Sequence, residues 1–200
     1  MVKLVKEIEG FTFSELNSDA QHTAKGCVLE YEREADWFSE DIVNDLLESF
    51  GISELTPYFS LSYSQGDGLC LSGSISFNDL LNEKFRKIAF AGIHHTQIKS
   101  IAQYLFRVEF LHSGNYYYSS SVNITDMCDN DVPDNQEAII EKVIANIKKW
   151  YADFCRQWEK RGYMYFYEIS DDEMVEICED REWFFTDKGK IIGSDFRQVG

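Results

Sequence analysis

Two polar clusters hold residue types that could do chemistry: Gln65-Gly66-Asp67-Gly68 and His112-Ser113-Gly114. A carboxylate, an imidazole and a hydroxyl are the parts of a nucleophilic triad. In a triad the base takes the hydroxyl proton and the acid orients the base. Asp67, His112 and Ser113 would meet if the turns that carry them lie at one end of the same sheet. A small hydrolase is then one reading of these turns, and a binding pocket formed by Gln65, Asp67, His112 and Ser113 is another. The commoner reading is structural, because Asp and Ser beside glycine bond their own backbone and make turns.

Other candidates carry less. His94 and His95 are adjacent, so on a helix their side chains point about 100° apart and suit one metal ion poorly. No metal and no cofactor is expected. Gly66-x-Gly68 lacks the third glycine and helix entry of a phosphate-binding loop. Tyr116-Tyr117-Tyr118 and Tyr163, Tyr165, Phe166 and Tyr167 could stack bases, but few Lys or Arg surround them, so core and sheet faces account for them better.

The acidic stretch from Glu168 to Asp187 is different. It holds Asp171, Asp172, Glu173, Glu176, Glu179, Asp180 and Glu182 against Arg181 alone. Ser170-Asp171-Asp172-Glu173 is a capping-box pattern that opens a helix to about Asp180. Helical spacing sets Asp172, Glu176, Glu179 and Asp180 on one face, where like charges repel. One reading is a solvated face. The other is a phosphate-like row turned toward a basic partner, with Asp172, Glu173, Glu176, Glu179, Asp180 and Glu182 as the contact residues.

These residues must be positioned by ordinary elements. Around Gln65, two arms from Tyr58 to Phe77 read as a hairpin closed by a tight turn. Leu69, Leu71, Ile75 and Phe77 share one parity, the period-two mark of a half-buried strand. Pro57 sits where no ladder donor is needed. A second hairpin is expected from Phe106 to Leu111 and Tyr116 to Thr125, turning at His112-Ser113-Gly114-Asn115. Helices are expected over 15–25, stopped at Gly26; over 39–51, with Val43, Leu46, Leu47 and Phe50 on one face; over 78–91 and 96–105; and over 135–161, stopped at Gly162. Residues 1–10 read as a short leading strand or a loose lead. The expected fold is one α+β domain over residues 1–200, an antiparallel sheet of two hairpins with helices packed on one face.

Composition narrows the function. With 44% hydrophobic and 15% aromatic residues, the 200-residue chain can build a sizeable core. No apolar run reaches the roughly 18 residues of a bilayer span, and the first residues lack a signal-peptide core. A cytoplasmic protein with no membrane partner is therefore expected. The five cysteines, Cys27, Cys70, Cys128, Cys155 and Cys178, form no CxxC pair and read as buried thiols. A formal net charge of −16 repels phosphate backbones and attracts basic surfaces, so direct nucleic-acid binding is disfavoured.

Several segments stand together in a recognisable order: Phe11-Thr-Phe-Ser-Glu-Leu, Tyr63-Ser-Gln-Gly-Asp-Gly-Leu-Cys70, His112-Ser-Gly-Asn-Tyr-Tyr117 and Glu179-Asp-Arg-Glu-Trp-Phe-Phe185. In these the chain resembles a family of small acidic phage- and prophage-encoded proteins. Some members carry the label of an antitoxin from a toxin–antitoxin stability system. The Ser-Gln-Gly-Asp-Gly turn is the most specific part. The chain departs at Leu69-Cys70-Leu71, where members often carry a small and then an aromatic residue. The resemblance implies a mobile-element setting in a bacterial host cell and brings no catalytic residues. Acidity and resemblance together lead to the expectation of a phage-derived, non-enzymatic protein that inhibits a basic nucleic-acid-binding host defence protein through a nucleic-acid-like surface. An antitoxin that neutralises a cognate basic toxin is the alternative, beside the hydrolase.

Overall fold

The computed structural model describes residues 9–34, 37–129 and 131–192. Residues 1–10, read as a short leading strand or a loose lead, fall mostly outside the described residues. The fold is α+β, and the described residues form two compact units. One lies within residues 36–162. The other lies within 1–35 and 163–200. The sequence, read as one domain, shows no linker at the second boundary, because residues 162 and 163 both fall inside one continuous helix.

The larger unit is built on a four-stranded antiparallel sheet in the order β1-β2-β3-β4. The strands are β1 (Leu55–Ser60), β2 (Gly68–Ser76), β3 (Leu105–His112) and β4 (Val122–Cys128). The two expected hairpins are both present, but neither turn is tight. Residues 61–67 join β1 to β2, and residues 113–121 join β3 to β4, ending in a short 3-10 turn at Ser119–Ser121. Tyr116, Tyr117 and Tyr118 therefore belong to a loop and not to the expected strand. Pro57 lies opposite Leu71 on the edge strand β1, where a missing N–H is tolerated.

One sheet face is core. Leu55, Leu69, Leu71, Ile75, Val108, Phe110 and Ile124 are buried there. On the other face Ser72, Ser74 and Ser76 of β2 are only partly buried, and Arg107 pairs with Glu109 at 2.7 Å. The first helices of this unit are α2 (Trp37–Asp45) and a π-helical turn at Leu46–Phe50, closed by left-handed Gly51. The buried face here is Phe38, Ile42 and Leu46, while Leu47 of the expected stripe is exposed. The wider π turn changes the angular step per residue, so 3.6-residue spacing misplaces Leu47.

Three short helices, α3 (Phe77–Leu80), α4 (Glu83–Ala89) and α5 (His95–Ile101), bridge β2 to β3. Each is capped by its own side chain, from Ser76, Asn82 and His94. α6 (Asp134–Tyr167) is the long helix. Its Ile140, Val143, Ile147, Trp150, Tyr151, Phe154 and Trp158 are buried. Trp150 meets Phe85, Phe50 and Phe154 at centroid separations of 4.7, 5.3 and 5.6 Å, an aromatic cluster at the heart of the unit. Gly162 does not stop α6. It sits where a Cβ would lie 2.3 Å from Leu61 Cδ1 and 2.8 Å from Phe38 Cζ, so the helix passes close to its neighbours there.

The smaller unit packs α1 (Ser18–Glu34) and α7 (Asp171–Asp180) around Phe13, Ala24, Val28, Met174, Cys178 and Phe185, and at the end of α6 Tyr165 Oη donates to Glu32 Oε2 of α1 at 3.4 Å. Gly26 lies inside α1 and does not end it, because the buried residues Ala24 and Val28 on either side hold the helix to the core. Phe185 bridges Phe11 on one side and Ile191 on the other.

Candidate functional site

The loop of residues 61–67 is folded around the Asp67 carboxylate. Ser60 Oγ donates to Oδ1 at 2.7 Å, and Ser64 Oγ donates to Oδ1 at 2.8 Å. The backbone N–H groups of Ser62 and Ser64 donate to Oδ2 at 2.6 and 2.7 Å. Burial opposes ionisation, since Asp67 is 7% exposed. The bonds from Ser60, Ser64 and Ser62 outweigh it and hold the carboxyl well below the usual carboxylate range. Asp67 is thus a carboxylate hub for three serines at alternate positions. That Ser-x-Ser-x-Ser spacing before a glycine-flanked Asp is visible in the sequence and was the missed signal.

The second loop closes over the first. Tyr117 N–H donates to the Gly66 carbonyl at 3.0 Å, and Gly66 N–H donates to Tyr118 Oη at 3.0 Å. Gly66 has a φ of +98°, and a Cβ there would meet Tyr116 Cδ1 at 2.5 Å. Glycine is therefore required at this position for both conformation and space. The expected convergence of the two loops at one sheet end is what the structure has. The contacts, however, run through Gly66 and the three tyrosines.

His112 is held elsewhere. Its Nε2–H donates to the Tyr116 carbonyl at 2.8 Å, and its ring lies between Tyr58 and Tyr117 at centroid separations of 5.7 and 5.9 Å. In a triad the imidazole N–H would be held by the Asp67 carboxylate while the other ring nitrogen takes the Ser113 proton. In this arrangement Asp67 is bonded by serines, and His112 is bonded by backbone. Gln65 and Ser113 are exposed on the two loops. His94 is a helix cap, its Nδ1 facing Thr96 at 3.0 Å.

In the smaller unit α7 carries the acidic row. Ser170 and Glu173 form the expected capping box. Ser170 N–H and Oγ donate to Glu173 Oε2 at 2.9 and 2.7 Å, and these bonds hold Glu173 below its ordinary pKa. Met174 and Cys178 face the core. Asp171, Asp172, Glu173, Glu176, Glu179, Asp180 and Glu182 are all exposed. Nearby cations engage other carboxylates: Lys25 pairs with Asp171 at 3.3 Å, and Arg181 reaches the buried Glu32 at 3.5 Å. Asp172, Glu176, Glu179, Asp180 and Glu182 remain as a solvent-facing row.

Among the described residues, no group of three or more His, Cys, Asp or Glu is placed to hold a metal ion. No helix among them is long and apolar enough to cross a membrane. The profile of a family described as a domain of unknown function, DUF8835, matches residues 37–171, more than half of the chain, and the chain belongs to that family. The matched stretch holds Gln65, Asp67, His112 and Ser113, and it reaches only the first residue of α7. No curated protein and no solved structure matches the chain.

Proposed function

We propose that this member of the DUF8835 family is a non-enzymatic interaction protein, of phage origin and acting in the bacterial cytoplasm. It docks an acidic, nucleic-acid-like surface on a basic nucleic-acid-binding host protein and so inhibits it. The observation that carries this reading is the exposed carboxylate row on α7, left over when Lys25 and Arg181 engage Asp171 and Glu32. The formal net charge of −16 adds a long-range field that favours basic partners. The phage setting rests on the resemblance in the Ser-Gln-Gly-Asp-Gly segment. A hydrolase draws no support from Asp67 and His112, whose hydrogen bonds go to serines and to the Tyr116 carbonyl.

The test is capture of basic proteins from a bacterial host by the immobilised full chain, at low salt and then at higher salt. Recovery of a basic protein that is lost as salt rises is expected, since exposed charges are screened over about 8 Å at physiological ionic strength. The triple variant Glu176→Lys, Glu179→Lys, Asp180→Lys should keep the fold and lose the partner. Capture that survives both salt and the triple variant would remove α7 as the contact. If the partner recovered is a toxin whose lethality is relieved by co-expression, the antitoxin form of the same binding applies.

A further inference from the structure

Residues 55–78 carry one charged side chain, Asp67, and residues 110–125 carry no Asp, Glu, Lys or Arg, in a chain that is 27% charged. The fold places these two runs side by side. The first is the β1–β2 hairpin, and the second is the end of β3, its loop and the start of β4. Asp67 is buried and fully bonded, so the surface made by the two loops exposes no charged side chain. Tyr58, Tyr63, Tyr116 and Tyr118 are exposed there, Tyr63 by 66%. Ser62, Ser64, Gln65, Ser113 and Asn115 stand exposed among them.

Loss of charge together with gain of tyrosine is the compositional mark of an interface core. Loops of Tyr, Ser, Gly and Asn give large contact area at low conformational cost. This patch is also set in advance. Tyr118 is tied to Gly66 N–H, the Tyr116 and Tyr118 rings stack at 6.0 Å, and Tyr63 holds a left-handed φ of +56° at the loop tip. A bulky residue in that region is strained, and such strain gathers at recognition sites.

We propose that this patch is where a second copy of the chain docks, in a two-fold arrangement that sets each tyrosine cluster against the other. Charge selects this occupant. A patch with no exposed cation has nothing to hold a phosphate, and one with no exposed carboxylate has nothing to pair with a basic surface. It is, however, the region through which two chains of net charge −16 approach with least repulsion. Its hydroxyls and amides both donate and accept, and its exposed aromatic faces can pack on aromatic faces, so it can meet an identical surface as an isologous contact requires.

The salt dependence is opposite to that of the acidic row. Sedimentation equilibrium of the full chain should show monomer and dimer between micromolar and millimolar protein. The dimer should tighten as salt rises from about 0.05 to about 0.5 M, because the charges outside the patch are screened. Tyr63→Asp, and separately Asn115→Asp, put a carboxylate against its own copy and should weaken the dimer about tenfold or more. Asn44→Asp, the same charge change at an exposed position on α2, should leave it unchanged. A chain that stays monomeric throughout overturns the proposal. So does a dimer indifferent to both loop variants.

Discussion

The Tyr151 hydroxyl on α6 takes the place of a strand residue opposite Leu71. It accepts the Leu71 N–H at 3.0 Å and donates to the Leu71 carbonyl at 3.1 Å. Leu71 lies past the stretch Gly73–Ser76 that pairs with β3, so its backbone has no strand partner on that side. Burial, with Cys155 alongside, pushes the phenol above its ordinary range, which keeps the proton that the carbonyl needs.

Tyr151→Phe keeps the ring against Phe110 and removes only the hydroxyl. Two buried backbone groups then lose their partner, at a cost of about 1–3 kcal/mol. Urea denaturation should show the loss, and hydrogen exchange should show faster exchange of the Leu71 amide. Unchanged exchange there would refute the role of the hydroxyl.

Asp67→Asn tests the loop hub. An amide offers one acceptor oxygen where the carboxylate offers two, so stability should fall by about 1–3 kcal/mol at neutral pH. The pH dependence has a definite sign. The folded-state pKa lies below the unfolded one, so the stabilisation is complete above about pH 4, where the unfolded carboxyl is also ionised. It is lost as pH falls from there through the depressed folded value. The stability gap between wild type and Asp67→Asn should therefore narrow with acid. A gap constant from pH 7 to about 2.5 would show that the charge is not the source.

Two mid-helix glycines should respond to alanine in opposite directions. At Gly26 in α1 a Cβ meets nothing within 4 Å, so Gly26→Ala should stabilise by about 0.5–1 kcal/mol through helix propensity. At Gly162 in α6 the new methyl would overlap Leu61 and Phe38, and overpacking costs about 1–3 kcal/mol against that gain. Thermal melts of the two variants should move up and down respectively. Two upward shifts would remove the close approach at Gly162.

The thiols supply a fourth expectation. Burial pushes Cys70 up to about 11 and Cys155 up to about 12. Burial also raises Cys178 to about 11. Thiolate is the reactive form, so iodoacetamide at pH 8 should leave these three unmodified in the folded protein and label them on denaturation. Half-buried Cys27 should label first. Fast labelling of Cys155 without denaturant would contradict the packing around Tyr151.

Local signals in the chain were enough for much of this. Ser170 and Glu173 form the capping box that their spacing announces, Gly51 closes its helix in the left-handed region, and Pro57 sits on an edge strand. The alternation of Leu69, Leu71 and Ile75 found the core face, and the apolar spacing found α6. Each of these depends on a residue and its neighbours within one or two turns, so sequence alone determines it.

Tertiary packing decided the rest. Gly26 and Gly162 read alike as helix stops, yet both lie inside helices, because burial on either side holds the chain helical through a residue of poor propensity. Asp67 and His112 read as partners across a pocket. Their hydrogen bonds instead go to Ser60, Ser62 and Ser64 and to the Tyr116 carbonyl, once loop length lets closer groups reach them first. The two charge-poor stretches lie apart in the chain, and the pairing of β2 with β3 and the bonds of Gly66 to Tyr117 and Tyr118 bring them together, because contacts between distant segments are fixed by which faces must be buried.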